Sequence, residues 1–270
     1  MDSKKGTIHM TTEIEISSEQ NLPQNDAIKL ADIGDLFDFG DGKHYTITSK
    51  TFLSDEHDTG PTKIRTKIIL ERTGMPPLEL EAPRTSNNLL AQYMHASDTL
   101  ISSKGTFKLN HQAFSLRTNG MYFPFISLSP LTGYNSEAEK PNHEHETASE
   151  NSSVHFVTKN DTIKHARRLG TYFYLEVGVP NTPLYRAMSK ELIYHNSTDQ
   201  LSFKLTLESP GHPTVIWSTS ASSKSSIAPY VTKGDAVSGL DANYRVSKKL
   251  FRRGISTHLY SVAAGLELID

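Results

Sequence analysis

Through most of this chain apolar and polar residues alternate with a period of two, the pattern of half-buried β-strands. The run Thr12–Glu13–Ile14–Glu15–Ile16 alternates strictly. Residues 45–53 (YTITSKTFL) and 62–70 (TKIRTKIIL) are rich in Thr and Ile and bounded by turn residues, with Asp41–Gly42 as a tight turn into the first. Residues 113–128 (AFSLRTNGMYFPFISL) predict a hairpin about Asn119–Gly120, and Pro124 makes its second strand an edge strand or the site of a bulge. Further strands are expected at 154–158, 171–179, 201–207 and 214–218, and 255–269 has the composition to close a sheet.

Helical spacing is confined to three segments. Residues 86–96 offer Ser86 as a cap and Leu89, Leu90, Tyr93 and Met94 as an apolar stripe. Residues 183–194 open on Pro183. Residues 241–254 (DANYRVSKKLFRRG) place Arg245, Lys248, Lys249 and Arg252 at the spacing of one helix face, between Asp241 as N-cap and Gly254 as C-cap.

The stretch 135–152 has no large apolar side chain and cannot contribute to a core, so it is expected to be a flexible polar linker or loop. It divides the chain into an N-terminal β-rich lobe, 1–134, and a C-terminal β-rich lobe, 153–270, which carries the basic segment 244–253. The expected fold is mainly β: two β-rich sandwich or barrel-like lobes with a few short helices. No sequence repeat is legible.

Charge changes this picture at one place. The chain has 28 basic and 30 acidic residues, yet five of the 28 fall between 245 and 253 with no acid among them. Such a segment can dock on an anionic lipid or RNA surface without reading base sequence. The expected binding set is Arg245, Lys248, Lys249, Arg252 and Arg253, with Lys164, Arg167 and Arg168 as a second small cluster.

Other candidate chemistry is thinner. The absence of cysteine removes disulfides, thiolate nucleophiles and cysteine-type zinc sites. His143–Glu144–His145–Glu146 lies in the polar linker, without a rigid element to preorganise ligands, so no metal is assigned. Asp32, Asp35, Asp38 and Asp41 recur every third residue with His44 behind them, a spacing that serves turns and also permits general acid–base work. The phosphate-loop, dinucleotide, nucleophile-elbow and zinc-protease motifs are all missing, and no catalytic residue, cofactor or small-molecule substrate is assigned.

Two readings follow. The first is a non-enzymatic assembly or adaptor protein, a homo-oligomer that docks through the basic segment. In architecture its two β-rich lobes resemble viral matrix proteins built from two β-sandwich lobes, and they are compatible with jelly-roll movement or coat proteins. The second is a β-scaffold hydrolase or nuclease using Asp35–Asp41 with His44. With no apolar h-region at the start and no run long enough to cross a bilayer, an intracellular location is expected, cytoplasmic or peripheral to a membrane.

Overall fold

The computed structural model describes residues 14–55, 63–86, 93–95, 98–116, 122–131, 153–158, 171–174 and 183–269. The protein is mainly β. In chain order the strands are β1 (Ile14–Ser17), β2 (Leu22–Pro23), β3 (Leu36–Asp38), β4 (His44–Asp55), β5 (Lys63–Glu71), β6 (Leu78–Ser86), β7 (Thr99–Ser102), β8 (Gly105–Leu116) and β9 (Tyr122–Pro130). They continue as β10 (Ser153–Thr158), β11 (Tyr172–Tyr174), β12 (Leu184–His195), β13 (Gln200–Glu208), β14 (Thr214–Thr219), β15 (Ser222–Ser223), β16 (Ala236–Ser238), β17 (Tyr244–Arg253) and β18 (Leu259–Leu268). Two short helices, α1 (Gln24–Leu30) and α2 (Lys224–Ile227), precede β3 and β16.

Although the sequence has no legible repeat, the backbone has one, and it is fourfold. Each unit has a short strand, a long strand and a return strand: β3–β4–β5, β7–β8–β9, β11–β12–β13 and β16–β17–β18. Every long strand carries a bulge at the same place, at Thr48, Asn110, Met188 and Ser247. Immediately before each bulge the long strand accepts the same tie from the start of its unit. Ile47, Leu109, Ala187 and Val246 donate their N–H to the carbonyls of Asp35, Asp98, Thr171 and Asp235, at 2.8–2.9 Å. In three units that residue closes a tight turn: the Asp35, Asp98 and Asp235 carboxylates accept from the N–H three positions earlier. Gly34 and Gly234, at φ 91° and 95°, occupy the left-handed position of two of these turns.

The units join into a closed cycle. Each long strand, past its bulge, pairs in parallel with the short strand of the next unit: Phe52↔Leu100, Phe114↔Phe173, Leu192↔Val237 and Phe251↔Phe37. The fourth of these seams returns to the first unit. The expected halves 1–134 and 153–270 are thus hydrogen-bonded to each other at two seams, β8 to β11 and β17 to β3.

The cycle also explains where β1 goes. β14 pairs with β13 and then turns through β15 into α2; likewise β1 pairs with β18 and passes through β2 into α1. Equivalent hydroxyls fix both crossings, since Thr219 Oγ1 accepts from Phe203 N at 2.9 Å and Ser18 Oγ from Val262 N at 2.8 Å. The first strand among the described residues therefore completes the last unit.

Inside the cycle the side chains form layers, as alternation requires of strands whose inner face is closed off. The seam partners named above are apolar and each at most 8% exposed, and they fall in three buried clusters: Phe114, Phe173, Leu192 and Val237 in one, Phe37 and Phe251 in a second, Phe52 and Leu100 in a third. Phe37 stacks on Phe251 with centroids 5.0 Å apart, and Phe114 on Phe173 at 5.6 Å. Each such side chain contributes roughly 1.5–3 kcal/mol by leaving water.

Two expected helices are strands. Residues 184–195 form β12 and 244–253 form β17, because the partner strands take up their backbone groups and alternate residues go inward. The helix expected at 86–96 falls largely outside the described residues, and Ser86 ends β6. The hairpin about 113–128 forms as β8 and β9, and among the described residues β9 pairs only with β8, so Pro124 lies on an edge strand. The linker 135–152 and the turn at Asn119–Gly120 lie outside the described residues.

Candidate functional site

The basic segment is best built from its strand. β17 alternates until the bulge at Ser247, which shifts the register by one. Tyr244 and Val246 face inward before it, and Lys249 and Phe251 after it. The five cations are therefore divided between the two faces. Arg245 is exposed, Lys248 is half-buried with its methylene stem laid over Gly265, and Arg252 and Arg253 are half-buried near the strand end.

Lys249 is a different object. It is 1% exposed, and its ammonium lies 3.0 Å from the Asp35 carboxylate across the seam, donating also to the carbonyls of Leu30 and Val231 at 3.2 and 3.0 Å. Its placement in an expected docking face is corrected: buried and paired, it is part of the fold. Arg252 approaches Asp38 and Glu15 at 3.9 and 4.0 Å, and Arg253 contacts His258. Lys164, Arg167 and Arg168 lie outside the described residues.

The Lys249–Asp35 pair is one member of a polar layer that the repeat generates. Lys190, 4% exposed, lies 2.9 Å from Asp235 and donates to Tyr230 O at 2.9 Å and Thr232 Oγ1 at 3.3 Å. Lys50, 3% exposed, donates to the carbonyls of Lys29, Ala31 and Tyr93, and the β4–β7 register sets Asp98 beside it. Each of the three ammoniums also lies within 5.3 Å of a phenylalanine ring centroid. At the β8–β11 seam the same positions hold a neutral pair, Gln112 and Thr171, both buried. Burial pushes the Asp35 and Asp235 carboxyls above their usual value; Lys249 opposes the rise at Asp35 and Lys190 opposes it at Asp235. These groups are buried within the fold, each at most 7% exposed.

The acidic segment goes the same way. Asp38 accepts from the N–H groups of Gly40 and Gly42, Asp41 from that of Lys43, and Asp32 lies 3.9 Å from the buried His95 imidazole. His44 points elsewhere. With Thr46, Thr48, Glu71, Arg72, Thr73, Met75 and Pro77 it lines an open trough of about 770 Å³ on the outer face of β4. No cluster of three or more metal-ligating side chains occurs among the described residues, and none of their helices is long and apolar enough to cross a membrane.

Sequence reasoning missed the polar layer. A signal was present: Gly34–Asp35…Lys50 and Gly234–Asp235…Lys249 have the same order and nearly the same spacing. It was hidden because two units depart from it, one with Gln112 and one with Thr171. No family model, curated protein or solved structure matches the chain.

Proposed function

We propose that this is a non-enzymatic assembly or adaptor protein, matrix- or coat-like in role, that docks on an anionic surface. The observation that carries the reading is where the titratable side chains go. Asp35, Asp235, Lys190 and Lys249 pair with one another inside the ring, and Asp38 and Asp41 hold turns. These acids and lysines are committed to holding the fold together, which leaves His44, Glu71 and Arg72 of the open β4 trough as the solvent-facing alternative. Sheet edges face solvent as well. Among the described residues β1, β6, β9 and β10 each pair on one side only, and unpaired edges are suited to self-association.

For docking, β17 offers the exposed Arg245 and the half-buried Lys248, Arg252 and Arg253, without the buried Lys249. Four engaged cations set an upper limit of roughly −3.6 for the log–log salt slope on duplex nucleic acid. The test is binding to anionic vesicles and to RNA across a salt series, for the wild type and for a variant with Arg245, Lys248, Arg252 and Arg253 changed to Ala. Salt-dependent binding that the variant loses is expected. Absence of wild-type binding to both surfaces would remove the docking reading, and metal-dependent hydrolysis abolished by His44→Ala would favour an enzyme instead.

A further inference from the structure

We propose that the β17–β18 turn is a membrane-inserting tip, with Ile255 as the side chain that enters the bilayer and an anionic lipid surface as the partner. The inference rests on the docking reading and selects lipid over nucleic acid within it.

Ile255 is 92% exposed, the most exposed large apolar residue among those described. An isolated exposed isoleucine is ordinary; this one is held in place. Gly254 donates its N–H to Leu259 O at 3.0 Å, closing the turn. Gly254 itself is buried, and a Cβ there would lie 2.4 Å from both Gln20 Oε1 and Thr257 Oγ1, so the base of the turn is packed from below. On its flank, a Cβ on Gly40 would sit 3.6 Å from Ile255 Cγ1, which sets the isoleucine beside the β3–β4 turn. The Gly254–Leu259 hydrogen bond and the neighbouring Gly40 define the place from which Ile255 projects.

The charges around the tip suit a lipid headgroup layer. Arg253 projects beside it against His258 and has no carboxylate partner among the described residues. Arg252 is 43% exposed and has Asp38 and Glu15 at 3.9 and 4.0 Å. Lys43, on the neighbouring turn, is 56% exposed with Asp41 at 4.0 Å. The tip thus combines an apolar apex with cations at its shoulders, the arrangement by which a peripheral protein engages both the acyl boundary and the headgroups. A phosphate backbone would use the cations and leave Ile255 in water.

The cysteine-free sequence makes the test direct. The full chain carrying Ile255→Cys, labelled with an environment-sensitive fluorophore, is mixed with phosphatidylserine-containing vesicles, with neutral vesicles and with single-stranded RNA. A matching label at Thr73→Cys, on an exposed turn of the β5 end, is the control. The expected result is a blue shift at 255 alone and with anionic vesicles alone. Unlabelled Ile255→Asp should keep the wild-type melting temperature and lose about tenfold or more in vesicle affinity, with RNA binding unchanged. If the β17 alanine variant loses vesicle binding while Ile255→Asp retains it and the 255 label stays in water, insertion is overturned and docking survives. If the wild type binds RNA but not vesicles, the lipid assignment is wrong. If it binds neither, docking and insertion fall together.

Discussion

The β8–β11 seam is where the polar layer can be tested by addition. Three seams have a buried lysine reaching across, while the fourth has Gln112, 3% exposed, and Thr171, 5% exposed, in register at the same positions. Gln112→Lys alone introduces a buried ammonium without a carboxylate, and Thr171→Asp alone introduces a buried carboxylate without an ammonium. Each should destabilise by about 3–5 kcal/mol, the usual effect of an uncompensated buried charge. In a chain of this size 1 kcal/mol shifts Tm by about 2–4 °C, so each single variant should melt on the order of 10 °C below the wild type. Together the two changes recreate the pair that Lys190 makes with Asp235 at 2.9 Å. The double variant should therefore recover most of the loss, with a coupling energy of roughly 3 kcal/mol or more. Thermal unfolding followed by circular dichroism, and by emission of the buried Trp217, reads the cycle. Additive losses, with coupling below about 0.5 kcal/mol, would mean that the four seams are not equivalent and that the repeat does not extend to side-chain energetics.

Other outcomes follow from the same geometry. Lys249→Ala strands the Asp35 carboxylate inside the ring and should cost about 3–5 kcal/mol, whereas Arg245→Ala on the exposed face of the same strand should stay within about 0.5 kcal/mol; equal effects in chemical denaturation would contradict the division of β17 into two faces. Gly239→Ala should destabilise by at least about 1–3 kcal/mol, because Gly239 has φ 85° and a Cβ would lie 2.0 Å from Tyr194 O; an unchanged melt would show the contact to be looser. Burial pushes the Glu191 carboxyl up, but the Ser238 hydroxyl and the Lys204 ammonium outweigh it and hold the group below 4.5. Its contribution is therefore present above pH 4.5 and lost as the pH falls through the lowered value, so the Tm advantage of wild type over Glu191→Gln should shrink on acidification below 4.5. An advantage that grew there would reverse the sign.

How much of this was legible in the sequence varies by element. β4, β5, β13 and β14 follow from alternation, since one face of each is apolar and the other polar. β12 and β17 misled; β4 carries the same bulge at Thr48, but in β17 the bulge falls inside the run of cations. In β17 the insertion turns a period-two pattern into one that places Arg245, Lys248, Lys249 and Arg252 at helical spacing. The sequence does show the cations of 245–253 as neighbours, but their separation onto two faces depends on that bulge and on Asp35, which lies far away in the chain. Ile255 carried no local signal either; it lies beside Gly40, which is far away in the chain. The fourfold repeat escaped notice because its units share backbone and a few key positions while differing in most side chains, and because one unit is split between the two chain ends.

That split gives the most direct measurement. Ile14 pairs with Leu266 and Ser17 with Ala263, so the first and last described strands are adjacent within the last unit. A circular permutant joining Asp270 to Met1, with new ends in the turn at 209–213 between β13 and β14, keeps every strand pairing of the closed cycle. It should fold with the wild-type circular dichroism spectrum and a Tm within several degrees of the parent, while deletion of residues 1–23, which removes β1 and β2, should abolish cooperative unfolding. A permutant that fails to fold, paired with a deletion variant that melts normally, would contradict the completion of the last unit by β1.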